Sequence, residues 1–365
     1  MKQYQAAGLI HGNQVHHLDH LAPLCILMDI PLIVTEEEIE EVAKKFYPGL
    51  VIFCFGYLQI AENIVTKYDI LFSSLPKDLL EQIFFAQEIL FKKNLTYIWC
   101  PHGNSDKGHS TYFMEGLNKE SILLVYGQKM IDFLVEKKAC LQAYALIIVN
   151  NYRYEYYKRQ ILFYDALREK VMAKIPKNQP TILYTPTWDD AENSSSFFSV
   201  FPKLIKELPN EMNLVVKLHP NTLLNAHQIE PLLYIAEQKE NILILNNFPA
   251  IYPLLNFVDI YLGDMSSIGY DFLTFNKPMF FLNHLAKQRD NSSYLFRCGT
   301  VIEPNQFDIV FSMIKNHQSK DRKKFHDIRK EVYEYVFGKE QQWEELRLKI
   351  CNVYERYFEE KILTP

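Results

Sequence analysis

Two histidines in this chain follow short apolar runs in the same way. Thr96-Tyr-Ile-Trp-Cys100 leads into Pro101-His102-Gly103, and Leu214-Val-Val-Lys217-Leu218 leads into His219-Pro220-Asn221. Each run reads as a strand and each proline breaks it, so both imidazoles are expected at the C-terminal ends of strands, where open α/β sheets gather their ligands. A neutral imidazole can take a proton from an alcohol near pH 7, and Lys107 and Lys217 close by can neutralise phosphate. Each histidine also has a plain structural reading, as a turn residue that bonds nearby backbone.

Further polar groups stand at similar places. Ile260-Tyr-Leu-Gly-Asp264-Met-Ser266-Ser267-Ile-Gly269-Tyr-Asp271 reads as a strand, a short turn and a helix that opens at the two serines, with Asn276-Lys277-Pro278 as its stop. Two hydroxyls and the free N–H groups of a helix N-terminus suit a pyrophosphate. Plain N-capping, worth about 1 kcal/mol, is the simpler alternative, although Asp264 and Asp271 beside the serines speak for more than a cap. Tyr184-Thr-Pro-Thr187-Trp188-Asp189-Asp190 follows another strand with a hydroxyl, an indole and two carboxylates; the acids suit general-acid or metal chemistry, or simply a helix first turn. His11, His16, His17 and His20 crowd one stretch, and His16 and His20 are spaced as metal ligands on one helix would be, but no third ligand is specified and an acceptor-lining loop is the simpler expectation. Gly103-Asn-Ser-Asp-Lys107-Gly108-His109-Ser110 mimics a phosphate loop yet puts His109 where its lysine must stand.

The elements that must hold these groups alternate short β-branched and aromatic runs with longer amphipathic ones, the pattern of parallel strands joined by crossover helices. Strands are expected at 7–10, 31–34, 50–55, 70–72, 96–99, 122–125 and 145–149, then at 181–184, 213–218, 242–245, 259–262 and 279–282. Helices are expected at 36–46 and 76–93, and beyond residue 305 at 320–337 and 341–361. A polar, aromatic helix over 152–174 precedes Ile-Pro-Lys-Asn-Gln-Pro at 175–180, the best domain boundary. Its tyrosines and cations at 152–159 read as a surface helix suited to anionic headgroups or a partner protein, or as an amphipathic packing helix. The chain of 365 residues is long enough for two α/β domains.

Composition narrows the function. With 39 Lys plus Arg against 44 Asp plus Glu the net charge is −5, so no overall positive field exists to hold nucleic acid. Glycine is scarce, 12 residues, and no G-x-G-x-x-G occurs, which disfavours a nicotinamide dehydrogenase. The six cysteines form no C-x-x-C pair, a reduced, intracellular pattern. The N-terminus lacks a signal-peptide core, and the longest apolar stretch, 21–34, is too short to span a bilayer and contains Asp29. A cytoplasmic protein, or one peripheral on the inner face of the plasma membrane, is expected.

Four segments in this order resemble the bacterial CDP-glycerol glycerophosphotransferases, which prime and extend teichoic acids. The resemblance covers roughly residues 95–300. It rests on Trp99 and His102-Gly103 with Lys107-Gly108, on Tyr184 to Asp190, on Lys217-Leu-His-Pro220, and on Asp264, Ser266, Ser267, Asp271, Lys277 and Pro278. Two residues separate Trp99 from His102 where the family has none, Asp189 stands in place of an arginine, and a further family segment near residue 150 survives only as Asn151-Tyr-Arg153. The resemblance implies a GT-B architecture: Rossmann-like domains over 1–170 and 171–340 facing each other across a cleft, with a C-terminal helix, 341–365, crossing back. It implies that His102 is the acceptor-activating base and that His219 and the helix opening at Ser266 and Ser267 hold the donor's phosphates. His102 and His219 are thus the expected catalytic residues, and Lys217, Asp264, Ser266, Ser267, Asp271, Thr187, Trp188 and Arg297 are expected to bind a nucleotide-activated donor. The resemblance further implies a CDP-alcohol donor, no cofactor or metal, no nucleic acid, and a lipid-linked or polymeric acceptor met at a membrane surface. A nucleotide-sugar glycosyltransferase of the same fold, and a decayed scaffold that binds a partner, are the alternatives.

Overall fold

The computed structural model describes residues 4–104, 115–188, 193, 195–223, 226–246, 248–286 and 294–363. Seven strands build the first sheet: β1 (Ala6–Ile10), β2 (Leu32–Val34), β3 (Ile52–Cys54), β4 (Ile70–Ser73), β5 (Thr96–Trp99), β6 (Ile122–Val125) and β7 (Ala145–Ile148). They are parallel throughout and run in the order β3-β2-β1-β4-β5-β6-β7. The second sheet holds β8 (Thr181–Thr185), β9 (Asn213–Lys217), β10 (Ile242–Leu245), β11 (Ile260–Gly263), β12 (Met279–Leu282) and β13 (Thr300–Ile302), in the order β10-β9-β8-β11-β12-β13. Each sheet therefore reverses its strand order beside its own first strand, the arrangement of a Rossmann-like domain, and the crevice at that reversal is where such sheets take ligands.

Burial on both faces explains why the strands read as continuous apolar runs. In the first sheet Leu9, Ile33 and Leu71 pack with Phe84 and Tyr97. In the second, Tyr184, Leu214, Val216 and Phe280 pack with Phe197, Phe201 and Ile314 from the covering helices.

The chain divides into two compact units. The first comprises residues 1–102, 111–159 and 335–365, and the second 103–110 and 160–334. The helix Val310–Phe337 passes from the second unit to the first, and the helix Trp343–Leu363 belongs to the first.

One apolar stretch gains an element, and two expectations on the segment 152–174 need correction. The apolar stretch at 21–34 is part of a helix, Leu18–Met28, followed by a left-handed turn at Asp29 and by β2; ten of that helix's eleven residues are buried. The single helix expected over 152–174 is two, Tyr152–Arg159 and Ile161–Met172. The first of these is no lipid-facing surface: Tyr152, Arg153, Tyr156 and Tyr157 are each at most 4% exposed. Lys158 pairs with Glu155 and Glu340, and the Arg159 guanidinium lies over the Trp343 ring. Those three tyrosines are core, and the cations find partners within the same unit. Among the described residues no helix is long and apolar enough to cross a membrane.

Candidate functional site

In the first unit β5 ends at Trp99, and Pro101 turns the chain so that His102 stands beyond the strand's C-terminal end. The short helical turn Val15–His17, which follows β1, supplies two further imidazoles. The His17 ring centre lies 4.8 Å from that of His102 and 4.4 Å from that of His16, and His16 is 6.4 Å from His102. Burial pushes the His102 pKa down to about 4. The imidazole is therefore neutral at pH 7, the state in which it can accept a proton.

His20, one turn into the helix Leu18–Met28, is buried and also held neutral. Desolvation is the largest cause, followed by the positive charge of Arg153 and then by His102, His17 and His16. Arg153 forms an ion pair with Asp19, and its Nε donates to the Asp19 carbonyl at 3.0 Å. These groups come from chain positions more than 130 residues apart. The four N-terminal histidines thus divide. His16 and His17 join His102, His20 lies in a buried network behind them, and His11 stands edge-on to Tyr57, 5.1 Å between ring centres. Among the described residues no group of three His, Cys, Asp or Glu side chains is arranged to hold a metal.

In the second unit the expected residues gather at the strand-order reversal. β8 and β11 are paired with Thr185 opposite Gly263, so the residues after them, Thr187 and Asp264, emerge side by side. Asp264 is 3% exposed, and its carboxylate accepts the backbone N–H groups of Thr187 (2.8 Å) and Ser196 (3.2 Å). Its work is to shape the loop that carries Thr187 and Trp188. Ser266 occupies the N-cap position of the helix Ser267–Phe272, but its hydroxyl makes no capping bond and lies instead 3.3 Å from the Tyr261 hydroxyl. Ser267 is half-buried, and Gly103, which groups with this unit, closely approaches it. With φ +139°, and with an added Cβ falling 2.8 Å from the Ser267 Cβ, that position demands glycine.

His219 follows β9, whose last residue is Lys217. The Asn221 N–H donates to His219 Nδ1 at 3.1 Å, so a neutral His219 carries its proton on Nε2 and presents a donor there. The Trp188 ring, 38% exposed, stands 6.2 Å from the His219 ring. An imidazole N–H, an indole face, an ammonium and serine hydroxyls make a set that suits an anionic nucleotide.

Two expected donor contacts keep other company. Asp271 is 4% exposed and accepts from the Tyr252 hydroxyl at 3.2 Å, a core position. Arg297 lies 3.4 Å from Glu331 and 5.9 Å from the centre of the Tyr294 ring. Lys277 has a structural task, donating to the carbonyls of Asn256 (2.6 Å) and Val258 (2.9 Å). Lys107, Gly108, His109, Asp189 and Asp190 lie outside the described residues. Sequence reasoning missed Tyr126, Asp19 and Arg153 as neighbours of His102 and His20; the only signal was the weak family segment at Asn151-Tyr-Arg153.

Comparison with known proteins gives a family-profile match over part of the chain and a shared fold. Residues 164–341 match the sequence profile of the family described as CDP-Glycerol:Poly(glycerophosphate) glycerophosphotransferase. Among curated proteins none matches the sequence significantly. The chain is similar in structure to the wall teichoic acid polymerase TagF, with 13% identity, TM-score 0.67 and coverage of 96% of this chain and 90% of that one. It is also similar to UDP-GlcNAc 2-epimerase from Neisseria meningitidis (12% identity, TM-score 0.59, 96% and 100% coverage) and to S. aureus MnaA (11%, 0.62, 98% and 97%). The shared fold is the pair of Rossmann-like domains of the GT-B class.

Proposed function

We infer that the chain belongs to the CDP-glycerol:poly(glycerophosphate) glycerophosphotransferase family and moves a glycerophosphate-type group from a CDP-alcohol to an acceptor hydroxyl in cell-surface polymer synthesis. The family match over residues 164–341 carries this reading, and a fold shared along most of the chain with a teichoic acid polymerase supports it. In the reaction the acceptor oxygen forms a bond to the donor's β-phosphorus, the bond from that phosphorus to the bridging oxygen breaks, and CMP leaves with the electron pair.

The geometry of each unit supports the following residue roles. His102, neutral at pH 7, takes the acceptor proton. At about 4 its pKa makes it a weak base in the free protein. The His219 Nε2–H, Lys217 and the hydroxyls of Ser266 and Ser267 meet the donor's phosphates, and Thr187 and Trp188 border the nucleotide. Asp264 and Asp271 act by holding these loops. Such transfer is largely positioning and charge stabilisation, so the reaction is written without a metal or a covalent intermediate. The acceptor class is a lipid-linked or polymeric hydroxyl, met in the cytoplasm at the inner membrane face.

Thermal unfolding with nucleotides tests the donor class. At about 100 times its dissociation constant CDP should add about 2.7 kcal/mol, a melting shift of a few degrees, with CMP and UDP adding less. The double variant Ser266→Ala with Ser267→Ala should shrink the CDP shift without abolishing it, since the backbone N–H groups remain. A larger shift with UDP than with CDP favours a nucleotide-sugar transferase, and insensitivity to every nucleotide favours a non-catalytic scaffold.

A further inference from the structure

Behind His102 lies a buried chain of hydrogen bonds that the transfer step does not itself use. The Tyr126 hydroxyl, on a side chain 1% exposed at the end of β6, lies 3.3 Å from the carbonyl of Pro101, the residue directly before His102. The same hydroxyl forms a short hydrogen bond with His20 Nδ1. A phenol has one proton and the Pro101 carbonyl can only accept, so both contacts are made when Tyr126 donates to Pro101 and His20 Nδ1–H donates to the Tyr126 oxygen. In that arrangement the neutral His20 carries its proton on Nδ1. His20 is in turn held from two sides: its carbonyl accepts from the Tyr152 hydroxyl at 2.8 Å, and the neighbouring Asp19 is paired with Arg153. The rings of Tyr126 and Tyr152 are nearly parallel, and Phe337 meets Tyr126 edge-on at 5.7 Å, so the phenol has little freedom to turn.

We propose that Tyr126 is a positioning residue for His102: its hydroxyl, oriented by His20 and through it by the Asp19–Arg153 pair, holds the Pro101 carbonyl and thereby fixes where the base presents its imidazole. The proposal rests on the transferase reading for its kinetic consequence but not for its structural one. Among the described residues, the titratable groups near the His102 ring include His16 and His17 on the turn after β1 and His20 on the helix that follows, with Tyr126 behind. Without the tether the ring can relax outward into water, which relieves the burial that keeps it neutral.

Two measurements on Tyr126→Phe test this, one of which needs no activity. CMP release from CDP-glycerol should show kcat reduced by about 10-fold, with the KM for CDP-glycerol within about 2-fold of wild type. NMR titration of the histidine side chains in the intact protein should show the His102 pKa raised from about 4 towards the ordinary value of 6.5. The CDP melting shift should be unchanged, since CDP binding belongs to the second unit. His20→Asn, whose amide N–H takes the place of Nδ1–H, should restore near-normal kcat, whereas His20→Leu should lose as much as Tyr126→Phe and the double variant little more. Wild-type kcat and an unmoved His102 titration in Tyr126→Phe would overturn the proposal. If that variant does not fold, equal kcat in His20→Asn and His20→Leu would overturn it instead. Should no variant, nor the wild type, release CMP while the His102 titration still shifts, the transferase reading fails and the positioning role stands.

Discussion

The two sheet ends that carry the candidate residues are built from opposite materials. In the first unit the residues are imidazoles and phenols, and behind His102 they are locked by side-chain bonds among buried groups: Arg153 to Asp19, His20 to Tyr126, Tyr126 to Pro101. In the second unit small hydroxyls, backbone amides and one carboxylate do the shaping, with Asp264 holding the Thr187 and Ser196 N–H groups and His219 fixed by its own turn. The difference suits the two tasks of the proposed transfer. Moving a proton requires one titratable group held neutral in one place, which burial and a rigid surround provide. Holding a diphosphate requires many modest donors, which loops at strand ends provide through backbone N–H groups.

Breaking the first unit's network should produce the largest effect. Asp19→Ala leaves the Arg153 guanidinium, 4% exposed, without its counter-charge, and loss of one partner from a buried pair costs about 3–5 kcal/mol. Urea unfolding should register that loss; a change below about 1 kcal/mol would mean the pair is not anchored as described. In the second unit Asp264→Ala strands two buried N–H groups and should cost less, about 2 kcal/mol, while also shrinking the CDP melting shift because the Thr187–Trp188 loop loosens. An unchanged CDP shift in a destabilised protein would confine Asp264 to the core.

The gentlest test is pH. His102 titrates near 4 when folded and near 6.5 when unfolded, so between these values the unfolded chain binds more protons and stability falls as pH drops from 6.5 towards 4. His102→Gln should flatten that part of the stability curve, and no comparable slope should arise from the second unit's hydroxyls and amides. An identical slope in the variant would place the titration elsewhere.

Much of this organisation can be read in the sequence, and the exceptions have physical causes. Twelve strands announce themselves as apolar runs between turn signals, because parallel strands covered on both faces need no polar alternation. β13 escapes because Thr300–Ile302 is three residues long, too short to show any period. The helix Leu18–Met28 escapes because it is buried all round and contains Pro23, which leaves no amphipathic stripe. The strand-end positions of His102, His219, Thr187 and Ser266 are visible because proline, glycine and serine mark where strands stop. The network behind His102 is invisible because Asp19 and Arg153, or His20 and Tyr126, are neighbours only once the sheet is assembled. For the same reason Tyr152, Tyr156 and Tyr157 read as part of a surface in sequence and are core in the fold.

The most direct test of the account is acceptor-dependent CMP release from CDP-glycerol, measured for the wild-type chain and for His102→Ala alongside the CDP melting shift of each. The account predicts turnover by the wild type, a fall of about 100-fold or more in His102→Ala as expected for loss of a general base, and an undiminished CDP shift in that variant. Ordinary turnover by a folded, CDP-binding His102→Ala protein would contradict it.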